Sequence, residues 1–250
     1  MRRATGARVE AEGLTLHTGG GTVYDGVTFT ARPGSLTAFQ ADSGGGRTAL
    51  LLTLAGRMRP TSGSLHVDGY TLPAEGRRVR RITALGLCEG VNDLEERLRV
   101  HEHLSERLQL RLKPAGRSAR EAALADAGLA EIDTSRRISE LSMEQKRRLG
   151  VALALLDEPR LLLVDDADRG LSSHSQRRFW HTLDELAASG LTVVAACSDT
   201  RAAGEGATVL PLTRSGPESD PAPGDHRPGP PSRPAGAAAA PEASTGEEQA

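Results

Sequence analysis

From residue 41 onward, short apolar strands alternate with helix-length segments, and this alternation constrains the fold more than any other feature. The predicted strands read SLHVDGY from residue 64, ITALGL from 82, LLLVD from 161 and LTVVAAC from 191. Helical spacing fits four stretches, at 47–57, within 94–129, at 142–156 and at 173–188. Short apolar strands joined by helices are typical of a parallel sheet that is covered on both faces. The sequence therefore predicts an α/β fold.

The first forty residues show a different pattern, in which polar and apolar residues alternate. The runs VEAEGLTLHT, TVYDGVTFTA and SLTAF are separated by a Gly19-Gly20-Gly21 turn and by Pro33-Gly34. Period-two runs between glycine and proline-glycine turns are typical of antiparallel strands. We therefore predict an N-terminal antiparallel β subdomain ahead of the parallel sheet.

Composition divides the chain near residue 213. More than half of the 14 prolines lie between Pro217 and Pro241, mixed with alanine, glycine, serine and glutamate. Such a segment buries too little apolar surface to offset the entropy lost when it is ordered. We predict a folded domain over 1–213, with a helical subdomain at about 92–145, and a disordered tail over 214–250. A solvated spacer and a docking segment are the two interpretations of this tail.

Charge and cysteine content exclude several classes of protein. Lys plus Arg total 31 against 33 Asp plus Glu, so no basic field attracts nucleic acid and we expect no nucleic-acid partner. Two cysteines, Cys88 and Cys197, cannot build a disulfide framework and have no metal-binding spacing. The N-terminus lacks the apolar stretch of a signal peptide, and no apolar run is long enough for a membrane span. We therefore expect a cytoplasmic protein.

A glycine-rich turn joins the strand SLTAF to the helix predicted at 47–57. It reads ADSGGGRT over residues 41–48. Glycines let successive backbone N–H groups surround phosphate oxygens, and the helix N-terminus adds partial positive charge. The phosphate-binding pattern G-x-x-x-x-G-K-[ST] is altered twice, because Ala41 replaces its first glycine and Arg47 its lysine. Taken alone, a glycine-rich turn without a function explains this segment at least as well.

The apolar strand that begins at residue 161 ends in two acids, Asp165 and Asp166. In a parallel sheet a carboxylate in this place lies at the carboxyl edge, where it can hold Mg²⁺ beside a nucleotide. The alternative is an aspartate that caps the next turn. On these residues alone, the two interpretations have equal weight.

The serial order of these and later segments resembles the ATP-binding cassette of ABC transporters over about residues 7–213. The turn at 43–48 resembles the Walker A loop, LSMEQ at 141–145 the LSGGQ signature, and Asp165-Asp166 the Walker B Asp-Glu pair. Leu171-Ser172 stands where the family has its D-loop. The resemblance implies a P-loop NTPase-like parallel sheet, with ATP and Mg²⁺ as ligands.

The same resemblance implies roles for individual residues. Nucleotide contacts fall to Ser43, Gly44, Gly45, Gly46, Arg47, Thr48, Ser142 and His17, the last near the adenine-stacking position. Metal contacts fall to Thr48 and Asp165. Catalytic positions are Asp166 in place of the glutamate base, Glu89 in place of the Q-loop glutamine, and Ser198 in place of the switch histidine. Ser142 would bind the γ-phosphate of an ATP molecule held by an opposing subunit.

Several of these positions depart from the family pattern. Arg47 keeps the positive charge of lysine but is longer, planar and forked. Asp166 is one methylene shorter than glutamate, which weakens activation of water, and Ser198 is short and neutral. Glu89 adds a third acid near the metal, and the two interpretations are tighter Mg²⁺ binding and disturbance of the attacking water.

The signature segment also departs from the family pattern. Met143 and Glu144 replace two glycines, and Glu144 is expected to bring negative charge towards the phosphate. Ser142 and Gln145 also fit an ordinary helix start with a capping box, and both interpretations hold.

The resemblance predicts an ATP-binding subunit of an ABC-type transporter that binds Mg-ATP better than it hydrolyses it. It implies a membrane-spanning permease as partner, a homodimer or heterodimer of cassettes, and a place at the inner face of the membrane. The alternatives are a fully active transport ATPase and a nucleotide-sensing regulatory module without turnover. A soluble ABC ATPase of DNA repair or translation is a further possibility, although this chain has neither twin cassettes nor a coiled-coil insertion.

Overall fold

The computed structural model describes residues 5–110 and 116–212. Its strands are β1 Val9–Thr18, β2 Gly21–Ala31, β3 Leu36–Gln40, β4 Ser62–Val67, β5 Tyr70–Leu72, β6 Thr83–Leu85, β7 Leu161–Val164, β8 Thr192–Cys197 and β9 Ala207–Pro211. Its α-helices are α1 Arg47–Leu54, α2 Gly76–Ile82, α3 Val100–Leu110, α4 Arg117–Asp126, α5 Met143–Leu155 and α6 Ser173–Ala188. The tail predicted at 214–250 lies outside the described residues, so the domain division stays a prediction.

The N-terminal half contains an antiparallel sheet with the strand order β2-β1-β4-β5. β1 and β2 form a hairpin in which Val9 lies opposite Ala31, and β4 pairs with the other edge of β1. The predicted antiparallel subdomain is therefore confirmed for these strands. The single strand predicted at 64–70 is wrong, because Asp68 and Gly69 have positive φ and turn the chain into a β4–β5 hairpin.

The second sheet has the order β6-β7-β8-β3-β9, and every pairing in it is parallel. The α/β prediction is confirmed. The prediction that SLTAF belongs to the antiparallel subdomain is wrong, because it forms β3 between β8 and β9. The Pro33-Gly34 turn indicates a change of direction but does not specify the partner strand. β9 was not predicted.

Both faces of the parallel sheet are covered, and β7 shows this most clearly. Leu161 and Leu163 belong to a buried cluster shared with α1 and the antiparallel sheet. Leu162 and Val164, whose side chains lie on the other face, belong to a cluster shared with α5 and α6. A strand buried on both faces needs no polar alternation, which explains why β7 reads as a continuous apolar run.

The helices follow the predictions with two differences, a shorter α1 and an additional helix, α2. α5 begins after Ser142, whose Oγ accepts from Gln145 N, and the predicted capping box is confirmed. α6 has the predicted bounds, whereas α1 ends at Leu54 and is followed by Gly56 with φ 65°. The helical region at 94–129 contains two helices, α3 and α4, and α2 was not predicted. Within the described ranges, no helix combines the length and apolar character that crossing a membrane requires.

Candidate nucleotide-binding site

The order of the parallel strands brings the predicted site residues to one edge of the sheet. β7, β8 and β3 are neighbours, so their carboxyl ends at Val164, Cys197 and Gln40 meet there. The glycine-rich turn follows β3, the Asp165-Asp166 pair follows β7, and Ser198 follows β8. Segments more than 100 residues apart therefore form one site at this edge. Parallel α/β sheets commonly bind ligands at their carboxyl edge.

The glycine turn has a backbone shape that only glycine adopts at low cost. Gly44 and Gly46 have φ of 77° and 81°, in the left-handed region. A Cβ on Gly45 would lie 2.7 Å from Ala41 Cβ, and one on Gly46 would lie 2.3 Å from the Val23 carbonyl oxygen. Gly46 is also the N-cap of α1 and has no side chain that could accept from the first turn. This backbone arrangement suits an anion at the start of α1.

Arg47 reaches across the site to Asp166. Its Nη2 donates to Asp166 Oδ1 at 2.7 Å, and the two side chains are 10% and 15% exposed. The other terminal nitrogen, Nη1, is buried and has no hydrogen-bond partner among the residues that the structure describes. The longer forked side chain therefore pairs with Asp166, the residue predicted at the base position, and retains one buried nitrogen without a partner among the described residues.

Asp165 accepts a hydrogen bond from the hydroxyl of Thr48, the residue after Arg47. Thr48 Oγ1 donates to Asp165 Oδ2 at 2.5 Å, and Asp166 N donates to Asp165 Oδ1 at 2.9 Å. Cys88 Sγ lies 3.5 Å from the same Oδ2. Burial, and then the charge of Asp165, raise the pKa of the Cys88 thiol to about 12. The thiol is therefore a proton donor to this carboxylate, not a thiolate ligand.

A chain of alternating charges extends from Asp166 to the surface. Asp166 has φ 47°, which is unusual for a residue with a side chain, and its Oδ2 accepts from Arg169 Nη1 at 3.2 Å. The same nitrogen donates to Glu89 Oε2 at 2.7 Å. The hydrogen bond to Asp166, and then the charge of Glu89, raise the pKa of Arg169. Glu89 therefore pairs with a cation in this structure.

Ser198, at the switch position, is held by an acid that the sequence analysis missed. Asp168 Oδ2 accepts from Ser198 Oγ at 2.5 Å, from Ser198 N at 3.0 Å and from Asp199 N at 2.8 Å. Asp168 is buried, and its Oδ1 has no partner within the described part of the chain. The loop after β8 is therefore fixed to the loop after β7. The sequence contained a signal for this contact, because Asp168 is a third acid only two residues after Asp166.

The predicted signature segment lies at the start of α5. Ser142 is its N-cap, and Met143 is 46% exposed. Burial raises the pKa of Glu144, but hydrogen bonds from Ser175 and Arg148 outweigh it and hold this pKa below its usual value. Glu144 Oε1 lies 3.0 Å from Arg148 Nε on the same helix. The negative charge expected to approach the phosphate is thus paired within the chain.

A second residue that the sequence analysis missed, Arg147, connects α5 to the acidic loop. Its Nε and Nη2 donate to the Arg169 carbonyl oxygen, and Nη1 donates to the Asp165 carbonyl oxygen at 3.4 Å. Burial lowers the pKa of Arg147, while neighbouring acids oppose the shift. Arg147 lines a cleft of about 520 Å³ together with Glu89, Asp166 and Arg169.

His17 lies on β1, in the hairpin whose Val23 carbonyl borders Gly46. Its ring is exposed, and Nδ1 lies 3.0 Å from Thr22 Oγ1. The stacking role of His17 stays a prediction.

Within the described ranges, no group of three or more His, Cys, Asp or Glu is arranged to hold a metal ion. A cation bound by Thr48 and Asp165 would therefore complete its coordination with ligand oxygens or water.

A strand, glycine-rich turn and helix at the carboxyl edge of a parallel sheet, with an acid ending the strand two places away, define a P-loop nucleotide-binding cassette. Residues 24–169 match the family described as ABC transporter. A cytochrome c biogenesis ATP-binding export protein of Bordetella parapertussis is 34% identical over 77% of this chain and 84% of its own length. The chain belongs to the ABC transporter family.

The chain spans only part of the length of two other similar proteins. An ABC transporter ATP-binding/permease protein of Mycobacterium tuberculosis is 32% identical over 69% of this chain, which spans 20% of that protein. A Nod factor export ATP-binding protein I of Mesorhizobium japonicum is 28% identical over 76% of this chain and 56% of its own length. The solved dimer of an ATP-binding cassette bound to ADP and Pi superposes with a TM-score of 0.69, at 22% identity, covering 82% of this chain and 97% of that one. This last similarity shows the fold.

Proposed function

We propose that this chain is the ATP-binding subunit of an ABC-type transporter, binding Mg-ATP and coupling it to a membrane partner. The observation that carries the proposal is the glycine turn with the unsatisfied donor beside it. Backbone at Gly45 and Gly46 admits no side chain, and the buried Nη1 of Arg47 lacks an acceptor. A phosphate group would supply acceptor oxygens both for Arg47 and for the backbone N–H groups at the start of α1.

Each part of Mg-ATP has residues to hold it. The backbone of residues 43–48 and Arg47 would bind phosphate, and His17 would lie under the adenine. Thr48 Oγ1 and the Asp165 carboxylate are hard oxygen ligands of the kind that Mg²⁺ prefers. The bound cation would neutralise phosphate charge. Ser142, at the start of α5, would meet the nucleotide of an opposing cassette.

Slow hydrolysis follows from the contacts of the catalytic positions. Asp166 accepts from Arg47 and Arg169, and Ser198 donates to Asp168, so neither is free to act on water without breaking a charged hydrogen bond. A positioned general base is typically worth about 10² to 10⁴ in rate. We therefore propose ATP binding with hydrolysis near background. These contacts also favour the second candidate, a nucleotide-sensing module without turnover, over a fully active ATPase.

The partners follow from family membership. The similar proteins named above are described as export or permease proteins, which supports a membrane-spanning permease as the partner of this chain. The superposed cassette was solved as a dimer, which supports pairing of this chain with itself or a related cassette. We propose that the protein works at the inner face of the cell membrane through that permease.

Separate measurements of ATP binding and ATP hydrolysis test the proposal. Calorimetric titration of the purified chain with Mg-ATP should show saturable binding that Asp165→Ala or Arg47→Ala weakens. Steady-state phosphate release should stay near the background of the Asp166→Asn variant. Robust turnover that Asp166→Asn abolishes would favour the active transport ATPase. No nucleotide binding at millimolar concentration would contradict both functions.

Cell fractionation tests the membrane partner. The protein should follow the membrane fraction in a strain that produces the proposed permease partner and leave it when the gene for that partner is deleted. Equal distribution in both strains would contradict the transporter-subunit proposal while leaving nucleotide binding unaffected.

A further inference from the structure

We propose that Asp166 is a positioning residue for Arg47, holding its guanidinium so that Nη1 takes a phosphate oxygen of the nucleotide. The inference rests on the proposed nucleotide site and changes the expected role of Asp166 from weak base to counter-ion. It starts from three observations: a 2.7 Å ion pair, the low exposure of both side chains, and one unsatisfied guanidinium nitrogen.

The two ends of the Arg47 fork are in different environments. Nη2 donates to Asp166 Oδ1, whereas the buried Nη1 has no acceptor in the described part of the chain. A buried donor without an acceptor is unfavourable, and charged donors most of all. Arg47 is the first residue of α1, directly after Gly46 at the end of the glycine turn. The ligand that fits this donor is therefore an oxyanion seated in the turn, which in the proposed function is a nucleotide phosphate.

Arginine suits this arrangement because its donors are fixed in one plane. A guanidinium can bind one oxyanion with one nitrogen and a second oxyanion with the other, and the first contact restricts the orientation of the second. A lysine ammonium is a point charge on a flexible stem and lacks this planar fork. The replacement of lysine by Arg47 therefore makes the orientation of the phosphate-binding cation depend on the residue at 166.

The other contacts of Asp166 favour a positioning role over a catalytic one. Both carboxylate oxygens are engaged, Oδ1 by Arg47 and Oδ2 by Arg169. The backbone at Asp166 is also left-handed, with φ 47°, and its N–H donates to Asp165. A carboxylate fixed at both oxygens is well suited to hold a cation. It is poorly suited to accept a proton from an attacking water.

A double-mutant cycle between residues 47 and 166 tests the proposal. The probe is the non-hydrolysable ATP analogue AMP-PNP with Mg²⁺, and calorimetry gives its Kd for Asp166→Ala, Arg47→Lys and the double variant. Asp166→Ala alone should weaken binding about tenfold, the scale of one charge-assisted hydrogen bond. In the Arg47→Lys background the same change should alter Kd less than twofold. Asp166→Asn, which keeps an oxygen acceptor, should fall between wild type and Asp166→Ala.

Asp68→Ala is the matched control. Asp68 also pairs with an arginine, Arg160, which precedes β7 and so lies at the opposite end of that strand from Asp166. Its removal should leave Kd for AMP-PNP unchanged. Circular dichroism checks that each variant is folded. If Asp166→Ala is unfolded, Asp166→Asn replaces it in the double-mutant cycle.

Three results separate failure of this inference from failure of the proposed function. Tighter binding by Asp166→Ala would show that Asp166 competes with phosphate for Arg47 and would overturn the positioning role. Unchanged binding by Asp166→Ala, or an equal effect in both backgrounds, would overturn it as well. Wild-type protein that binds no AMP-PNP would contradict the nucleotide site itself.

Discussion

The candidate site has two halves, which differ in how far they depart from the family pattern. The backbone half is the glycine turn after β3, and the side-chain half consists of the loops after β7 and β8. The glycine turn after β3 depends on φ values and close approaches that no side chain supplies. The loops after β7 and β8 depend on side chains, and there Asp166, Asp168 and Ser198 are bonded to neighbours within the protein. Backbone groups bind an anion whichever side chains surround them. We therefore expect nucleotide binding to tolerate substitutions that catalysis does not.

Reversion of three substituted side chains, one after the glycine turn and two in the side-chain half, should have the largest effect. The triple variant Arg47→Lys, Asp166→Glu and Ser198→His should raise steady-state ATP hydrolysis by about 10² or more, because a longer base and an imidazole are restored together. Each single reversion should give much less, since these groups act as a unit. Phosphate release at saturating Mg-ATP measures this. A triple variant no faster than the wild type would show that the defect lies elsewhere.

Damage to the backbone half should abolish binding and lower stability. Gly46→Ala places a Cβ 2.3 Å from the Val23 carbonyl oxygen at φ 81°, and should lower the free energy of unfolding by about 3 kcal/mol. Gly69→Ala is the control, since Gly69 has φ 80° and no atom near its Cβ position, and about 1 kcal/mol is expected. Urea unfolding and nucleotide titration check both. Equal losses in the two variants would exclude the close approach as the cause.

Removal of the Asp168 carboxylate should release the loop after β8. Three donors of Ser198 and Asp199 lose their acceptor in Asp168→Ala, and we expect a loss of about 2 kcal/mol in unfolding free energy. The matched variant Asp199→Ala removes a half-buried carboxylate that pairs with the exposed Arg201, and it should change the thermal midpoint very little. An Asp168→Ala variant as stable as the wild type would show that this contact does not hold the loop.

The buried thiols should give a smaller, pH-dependent effect. Burial raises the pKa of Cys88 and of Cys197 to about 12 from a usual value near 9. Between these values the folded state holds protons that the unfolded state loses, so the free energy of unfolding falls as pH rises above about 9. Urea unfolding of wild type and Cys88→Ala at pH 8 and pH 10 should show a shallower decline in the variant. Parallel declines would contradict this contribution.

Truncation after residue 213 should have the smallest effect. The residues removed offer no core-forming pattern, so the thermal midpoint and the affinity for Mg-ATP should both stay unchanged. Differential scanning calorimetry of the full chain and of residues 1–213 measures the thermal midpoint. A large drop would show that the tail packs on the folded domain.

The sequence by itself determined the fold class and most elements, because their signals are local. Period-two alternation predicted β1 and β2, and the spacing of apolar residues predicted α5 and α6. The Ser142 and Gln145 spacing predicted the cap of α5, since both groups lie within one helical turn. The serial order of weakened motifs indicated the family, which the match over 24–169 shows.

Only the tertiary structure decided which groups meet. The strand order places β3 beside β8 and not in the antiparallel sheet, and nothing within SLTAF specifies that partner. The Arg47–Asp166 pair joins residues 119 positions apart, and the Asp168–Ser198 pair joins residues 30 apart. A sequence pattern records each residue and its near neighbours. Contacts across the carboxyl edge depend instead on which strands lie side by side and on where each side chain reaches, and packing alone fixes both.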